Sequence, residues 1–303
     1  MAPCNAIPSQ LKANKHHGVI NRHDHHAGKT SNSYSDPQPP APAPRSLASS
    51  LPPHPSALPE RGKIRRLVWQ SQFNIRHKVL PMIESSIERA RFNMIEQQIR
   101  PWEVLSPAAL ETLQTLPREA FAPAAYRGLA FADCEIPLGH GETMLFPRIE
   151  GKALQSLDIQ PSDLVYEVGT GSGFLTACLA KLARQVVSID IHPDFTEQAA
   201  ARLDEMGIHN VSLSTGNALQ TPSIKGPFDA ILVSGSVPTS EQAEIFRSQL
   251  KPGGRLFIAV GEAPVMELLL ITRESERAFR EEAILETELK ALQGAAPAKS
   301  FEF

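Results

Sequence analysis

Leu164-Val165-Tyr166-Glu167-Val168-Gly169-Thr170-Gly171-Ser172-Gly173-Phe174 is the stretch that decides the fold. Its first half is almost wholly apolar, and its second half carries glycine at every other position. The pattern is that of a strand running into a glycine turn, with a helix starting near Phe174. Glycine tolerates positive φ and lets a ligand approach the backbone closely, and the first turn of a helix presents free N–H groups. The spacing is G-x-G-x-G at Gly169, Gly171 and Gly173, not the G-x-G-x-x-G of dinucleotide turns. Taken alone, the turn predicts a nucleotide-like ligand, with a purely structural turn as the alternative.

Reading onward, strands and helices alternate. Strands are expected at Asp163–Val168, Val186–Asp190, Val211–Ser214, Phe228–Ser234 and Arg255–Val260. Helices are expected at Phe174–Ala183, Pro193–Met206 and about Ser240–Leu250. Apolar runs such as AILV and LFIAV suit a parallel sheet buried on both faces. The alternation predicts an α/β fold with a doubly wound, mostly parallel, Rossmann-like sheet. Met266–Leu292, which opens on LLLI and then turns charged, reads as one or two strands closing the sheet edge.

Upstream, Ile87, Phe92, Ile95 and Ile99 recur at helical spacing, and Pro101 ends the helix. A second helix is expected from Pro107 to Leu116, with Ser106 as its N-cap and proline in its first turn. Pro117–Pro147 reads as loop-rich. Residues 62–80 are basic and read as a spacer. Residues 1–60 read as disordered, because nine prolines between Pro37 and Pro59, with abundant Ser and Ala, leave little apolar surface to bury. The expected organisation is therefore a tail over 1–80, a helical covering segment over 81–150 and the ligand-binding domain over 151–303.

The net charge of −3 conceals a division: +8 over residues 1–80 and −11 over 81–303. An acidic body argues against nucleic acid as the partner. Cys4, Cys134 and Cys178 are odd in number and widely spaced, which points to neither a disulfide framework nor a metal cluster and suits a reducing cytoplasm. No apolar run reaches the length of a membrane span. Five of the ten histidines fall in the first 26 residues; such a tract could hold metal, but its reading here is a solvated tail, and no metal site is expected.

The candidate binding residues follow from position. Glu167, just before the turn, can pair with a ligand's ammonium group. Gly169, Thr170, Gly171 and Gly173 form the turn. Asp190 ends the second strand, where a carboxylate suits both hydroxyls of a ribose. Asn217 and Ala218, after the third strand, suit the edge of an adenine. His140 and His192 read as structural, although His140 stands in the loop expected to cover the site and is a candidate for substrate contact.

EVGTGSGF, followed by SID, FDAILV and LKPGGRL, resembles a class I S-adenosylmethionine-dependent methyltransferase. RFNMIEQQI (91–99), LPREAFAP (116–123) and ADCEIPLGHGETM (132–144) resemble the protein-L-isoaspartate O-methyltransferase family. The resemblance covers about residues 90–275. It implies S-adenosyl-L-methionine as cofactor, and methylation of the abnormal α-carboxylate of isoaspartyl residues in damaged proteins as activity. It places the acceptor at Thr143 and at position 145, where the family's Thr-Ile-Ser-x-Pro carries a serine that contacts the reacting carboxylate. Here the loop reads Thr143-Met144-Leu145-Phe146-Pro147, and leucine donates no hydrogen bond. Asn217-Ala218 replaces the family's Asp-Gly, and Asp190 replaces its usual Glu. The expectation is a cytoplasmic monomer acting on isoaspartyl proteins or peptides, without nucleic acid or membrane. The alternatives are a different acceptor for the same chemistry, or a non-catalytic cofactor-binding protein.

Overall fold

A computed structural model describes residues 86–220 and 226–295. The expectations for the tail over 1–80 lie outside the described residues. Nine strands and seven α-helices are assigned within them. Strands β1 (Ile136–Gly139) and β2 (Glu142–Met144) form an antiparallel hairpin of their own. The other seven are β3 (Leu164–Val168), β4 (Gln185–Asp190), β5 (Val211–Thr215), β6 (Phe228–Val237), β7 (Leu250–Glu262), β8 (Val265–Arg273) and β9 (Phe279–Thr287). They make one sheet in the order β5-β4-β3-β6-β7-β8-β9, parallel from β5 to β7 and antiparallel from there to β9. The expected doubly wound architecture is thus the one the chain adopts, and the region after Met266 supplies two edge strands.

The chain starts the parallel sheet at β3 in its middle, runs outward to β5, then returns to β6 on the other side of β3. Where the direction reverses, the loops leaving β3 and β6 part, and a crevice opens beyond their C-terminal ends. Helices α5 (Phe174–Leu182), α6 (Pro193–Glu205) and α7 (Ser240–Arg247) cross over between strands. Asp229 joins three strands: its carboxylate accepts from the Leu164 N–H at 2.8 Å and from Lys251 Nζ at 2.7 Å. The LKPGGRL turn expected before the fifth strand is itself in the ladder, with Gly253 at φ +82° and the register shifting between Phe228 and Ala230.

The upstream region carries more structure than its loop-rich reading. A helix, α1, spans 86–94 and runs on as a π-helical turn, Ile95–Ile99, and a 3₁₀ turn, Arg100–Trp102, into Pro101. Helix α2 (Pro107–Thr115) is capped by the Ser106 hydroxyl, which accepts from the Ala109 N–H at 3.4 Å. The turn α3 (Arg118–Phe121) and helix α4 (Pro147–Leu157) follow. Met94, Ile99, Leu113, Phe121, Ile149 and Leu154 are buried in the same core as Val165, Leu179, Leu232 and Phe257 of the sheet layer. Cys178 is a free thiol buried inside α5.

Candidate active site

The crevice at the strand reversal is a cleft of about 1030 Å³, open solvent included. Its floor is the glycine turn. Gly169, Gly171 and Gly173 have φ of +93°, +52° and +85°. At Gly169 a Cβ would collide with Ser234 Oγ, whose hydroxyl donates to the Val168 carbonyl at 3.0 Å. A side chain there would also displace the Ser234 hydroxyl from its bond to Val168 and would be strained by the positive φ. Gly173 does not reach the cleft: its missing Cβ makes room for Ala199 on α6, at 2.9 Å. There it serves the packing of α5 against α6.

Glu167 lies behind the turn. It is fully buried and does not line the cleft. Its Oε2 accepts from Thr176 Oγ1 at 2.5 Å and Ser188 Oγ at 2.7 Å, and Ser188 meets Thr170 Oγ1 at 2.6 Å. Burial pushes its pKa up to about 7, against the two hydroxyl donors. A side chain in strand β3 alternates faces with its neighbours, and Glu167 points to the side packed under α5.

Asp190 is where the sequence placed it. At the end of β4, its Oδ2 accepts from the Gly171 N–H at 2.8 Å and its Oδ1 from the His192 N–H at 2.9 Å. Each oxygen keeps a second lone pair for an incoming hydroxyl. Burial raises its pKa, and the two N–H groups oppose that rise. Beside it, Ile191 lies on the cleft as a part-exposed apolar side chain, and Leu219 lines the cleft too. Asn217 and Ala218 line it as well; the Asn217 carbonyl oxygen accepts from the Leu219 N–H at 2.9 Å, and its amide donates to the Gln293 carbonyl at 3.1 Å.

The hairpin β1–β2 forms the opposite wall. Leu138 reaches over the turn, its Cδ1 3.3 Å from where a Gly171 Cβ would stand. Thr143 and Leu145 both line the cleft. Leu145 is also part of the core, and its carbonyl accepts from Arg118 Nη2 at 2.7 Å. Arg118 is wholly buried. It pairs with Glu150 through Nε–Oε2 at 2.8 Å and Nη2–Oε1 at 3.0 Å, and Nη1 donates to the Ala130 carbonyl at 2.5 Å. The Arg of LPREAFAP therefore braces the loop that carries Leu145 and does not itself face a substrate.

Several cleft residues carried no signal in the sequence. Glu135 shares the cleft wall with Thr143, and burial raises its pKa. Glu135 and Thr143 also line a second groove alongside, which runs past Trp102 and Arg148 to Glu288. Lys290, Ala291, Leu292 and Gln293 close one side of the cleft. Ser236 holds them in place, its N–H donating to the Lys290 carbonyl at 2.8 Å and its carbonyl accepting from the Leu292 N–H at 2.9 Å. Only the folded chain, not any local pattern, makes them part of the site.

The donor set fits S-adenosylmethionine: a glycine turn with no room for a Cβ, a buried carboxylate with free lone pairs for a ribose, and apolar faces at Ile191 and Leu219 for a flat ring. With the parallel sheet reversing at β3, these features define a class I S-adenosylmethionine-dependent methyltransferase. The profile of the protein-L-isoaspartate(D-aspartate) O-methyltransferase family matches residues 89–289. A protein-L-isoaspartate O-methyltransferase of Syntrophus aciditrophicus is 37% identical over 189 residues, 62% of this chain and 86% of its own. That of Methylorubrum extorquens is 39% identical over 190 residues, 63% and 82% of the two chains. A crystal structure of such an enzyme from Plasmodium falciparum, in complex with S-adenosyl-L-homocysteine, shares the fold: TM-score 0.58 at 21% identity, over 68% of this chain and 98% of that one. The chain belongs to the protein-L-isoaspartate O-methyltransferase family.

Proposed function

We propose that this protein transfers the methyl group of S-adenosylmethionine to the free carboxylate of isoaspartyl residues in damaged proteins and peptides. The observation that carries the reading is the meeting of two walls in one cleft. Asp190 and the glycine turn hold the cofactor side, and Thr143 on the hairpin holds the acceptor side. In this reading residues 81–150 are the covering segment and 151–303 the cofactor-binding part, with 1–80 as a tail.

S-adenosylmethionine supplies an already activated methyl group. A carboxylate is already a nucleophile, so the residues of the chain align the two and keep water out. Gly169, Thr170 and Gly171 set the cofactor's backbone-facing side, Asp190 takes the ribose, and Asn217 with Ala218 flank the adenine. Leu138 and Leu145 make the wall dry. Thr143 supplies the hydroxyl, and Glu135, whose pKa burial raises, shares its wall. The enzyme works as a monomer in the cytoplasm, with neither nucleic acid nor membrane as partner. The acidic balance of residues 81–303 supports the lack of a nucleic-acid partner, and no helix among the described residues is long and apolar enough to cross a membrane.

A second reading has its own observation. Leu145 offers no donor to a carboxylate. That suits an uncharged acceptor on the same methyl transfer. Labelled S-adenosylmethionine offered with an isoaspartyl peptide and its ordinary aspartyl twin separates the two. Transfer to the isoaspartyl peptide alone is expected. Cofactor binding with no transfer to either peptide would overturn the first reading and leave the second.

A further inference from the structure

The turn between β1 and β2 is held against the start of α6 by side chains that the methyl transfer does not use. His140, at the tip, has φ +52°, a left-handed conformation that a non-glycine residue adopts only at a cost. Its neighbours Gly139 and Gly141 also have positive φ, at +118° and +76°. The strain is held by what the imidazole touches. His140 Nε2 is 3.1 Å from both carboxylate oxygens of Asp194, in the first turn of α6. Its ring stacks on that of His192, with centroids 4.1 Å apart and planes within 10°, and the edge of Phe195 backs both rings.

We propose that His140, His192 and Asp194 bind a divalent transition metal, which clips the covering hairpin to the cofactor half of the cleft. One ligand atom from each residue lies within 4.8 Å of the others. Two imidazoles and a carboxylate suit zinc and its neighbours, whose bonds to such atoms are about 2.0–2.2 Å long. Ligand atoms around a tetrahedral ion of that size stand about 3.4 Å apart. The His140–Asp194 pair is already near that spacing, and His192 turns out of its stack on His140 to bring a ring nitrogen onto the ion. His192 Nε2 lies 3.0 Å from Gln293 Nε2, so with the amide donating that nitrogen is the unprotonated one, and it binds the metal by exchanging the Gln293 N–H for the ion. At His140 the metal replaces the proton that now bridges Nε2 to Asp194, and that proton leaves to water or to Nδ1. Glu142 Oε1 is 3.9 Å from His192 Nε2, but Lys290 and Gln293 hold it at 3.0 and 3.1 Å, so water completes the coordination.

The clip spans the mouth of the cleft. His192 is two residues from Asp190 and lines the cleft, while His140 lies between Leu138 and Thr143, which line the other wall. Metal binding therefore ties the two walls together around the cofactor. The proposal rests on this geometry alone and stands whatever the acceptor is.

The full-length chain is titrated with Co²⁺ and read by its visible absorption, after His16, His17, His23, His25 and His26 are all replaced by alanine so that the tail does not compete. One Co²⁺ per chain is expected, with the intense band of a four-coordinate site. His140→Ala and His192→Ala should each abolish it, with the helical circular dichroism and melting curve showing that the variants remain folded. Bound Co²⁺ should also tighten S-adenosylhomocysteine binding about fivefold, a typical coupling between sites, in the parent and in neither variant. Absence of saturable binding, binding that survives both substitutions, or cofactor affinity indifferent to the metal would each overturn the proposal.

Discussion

Glu167 shows how a residue's place in the sequence leaves its surroundings open. The sequence set it directly before the glycine turn, but alternation along β3 sends its carboxyl under α5. There it meets Thr176 and Ser188, and burial lifts its pKa from 4.5 to about 7. An acid whose pKa rises on folding binds its proton more tightly in the folded chain. Its contribution to stability is complete below pH 4.5 and is lost as pH climbs through about 7. Glu167→Gln should remove that dependence: the variant gains on the wild type, by up to about 3 kcal/mol, between pH 4.5 and 7, and the difference then stays level. Urea unfolding of both proteins across that range measures it, and a difference independent of pH would refute the buried-acid reading. The position of Asp190 at the end of its strand was legible because the apolar run before it marks where β4 stops. Glu135 was not, because nothing local distinguishes it from any other acid in a loop; only the folded hairpin turns it toward Thr143.

Among elements, those with long apolar runs were legible. The strands from β3 to β7 and the helices between them appear within a few residues of their expected bounds, because burial on both faces writes an unmistakable run into the sequence. The hairpin β1–β2 was read as loop, since four and three residues are too few to show alternation. Helix α4 was hidden the same way, behind a proline that suits its first turn. What fixes the hairpin loop is Arg118, through the Leu145 carbonyl and the Glu150 carboxylate. Both charges are out of water, and burial raises the pKa of Glu150 despite the arginine beside it. Arg118→Ala leaves that carboxylate unpaired and should cost about 3–5 kcal/mol in denaturant unfolding. Arg118→Met combined with Glu150→Leu should recover part of the loss. A double variant no more stable than Arg118→Ala would show that the backbone carbonyls, not the ion pair, are what the arginine serves.

At the scale of the whole molecule, the cleft draws on residues from Glu135 to Gln293. Its last wall was illegible in the sequence because Lys290–Gln293 reach it through Ser236, more than fifty residues earlier. A chain ending at Thr287 keeps all nine strands and loses that wall. It should still melt cooperatively, at a lower temperature because Leu289 is buried, while binding S-adenosylhomocysteine about tenfold more weakly, which corresponds to roughly 1.4 kcal/mol. Calorimetric titration reads the affinity, and an unchanged value would remove the segment from the site.

That late wall also orders events during synthesis. The glycine turn leaves the ribosome more than a hundred residues before the segment that closes over it. A nascent chain that has released β9 has every partner its sheet requires, yet still has an open pocket. Ligand therefore stabilises a chain that stops short of this wall less than the whole one, and gains its full hold only once the last wall has been translated.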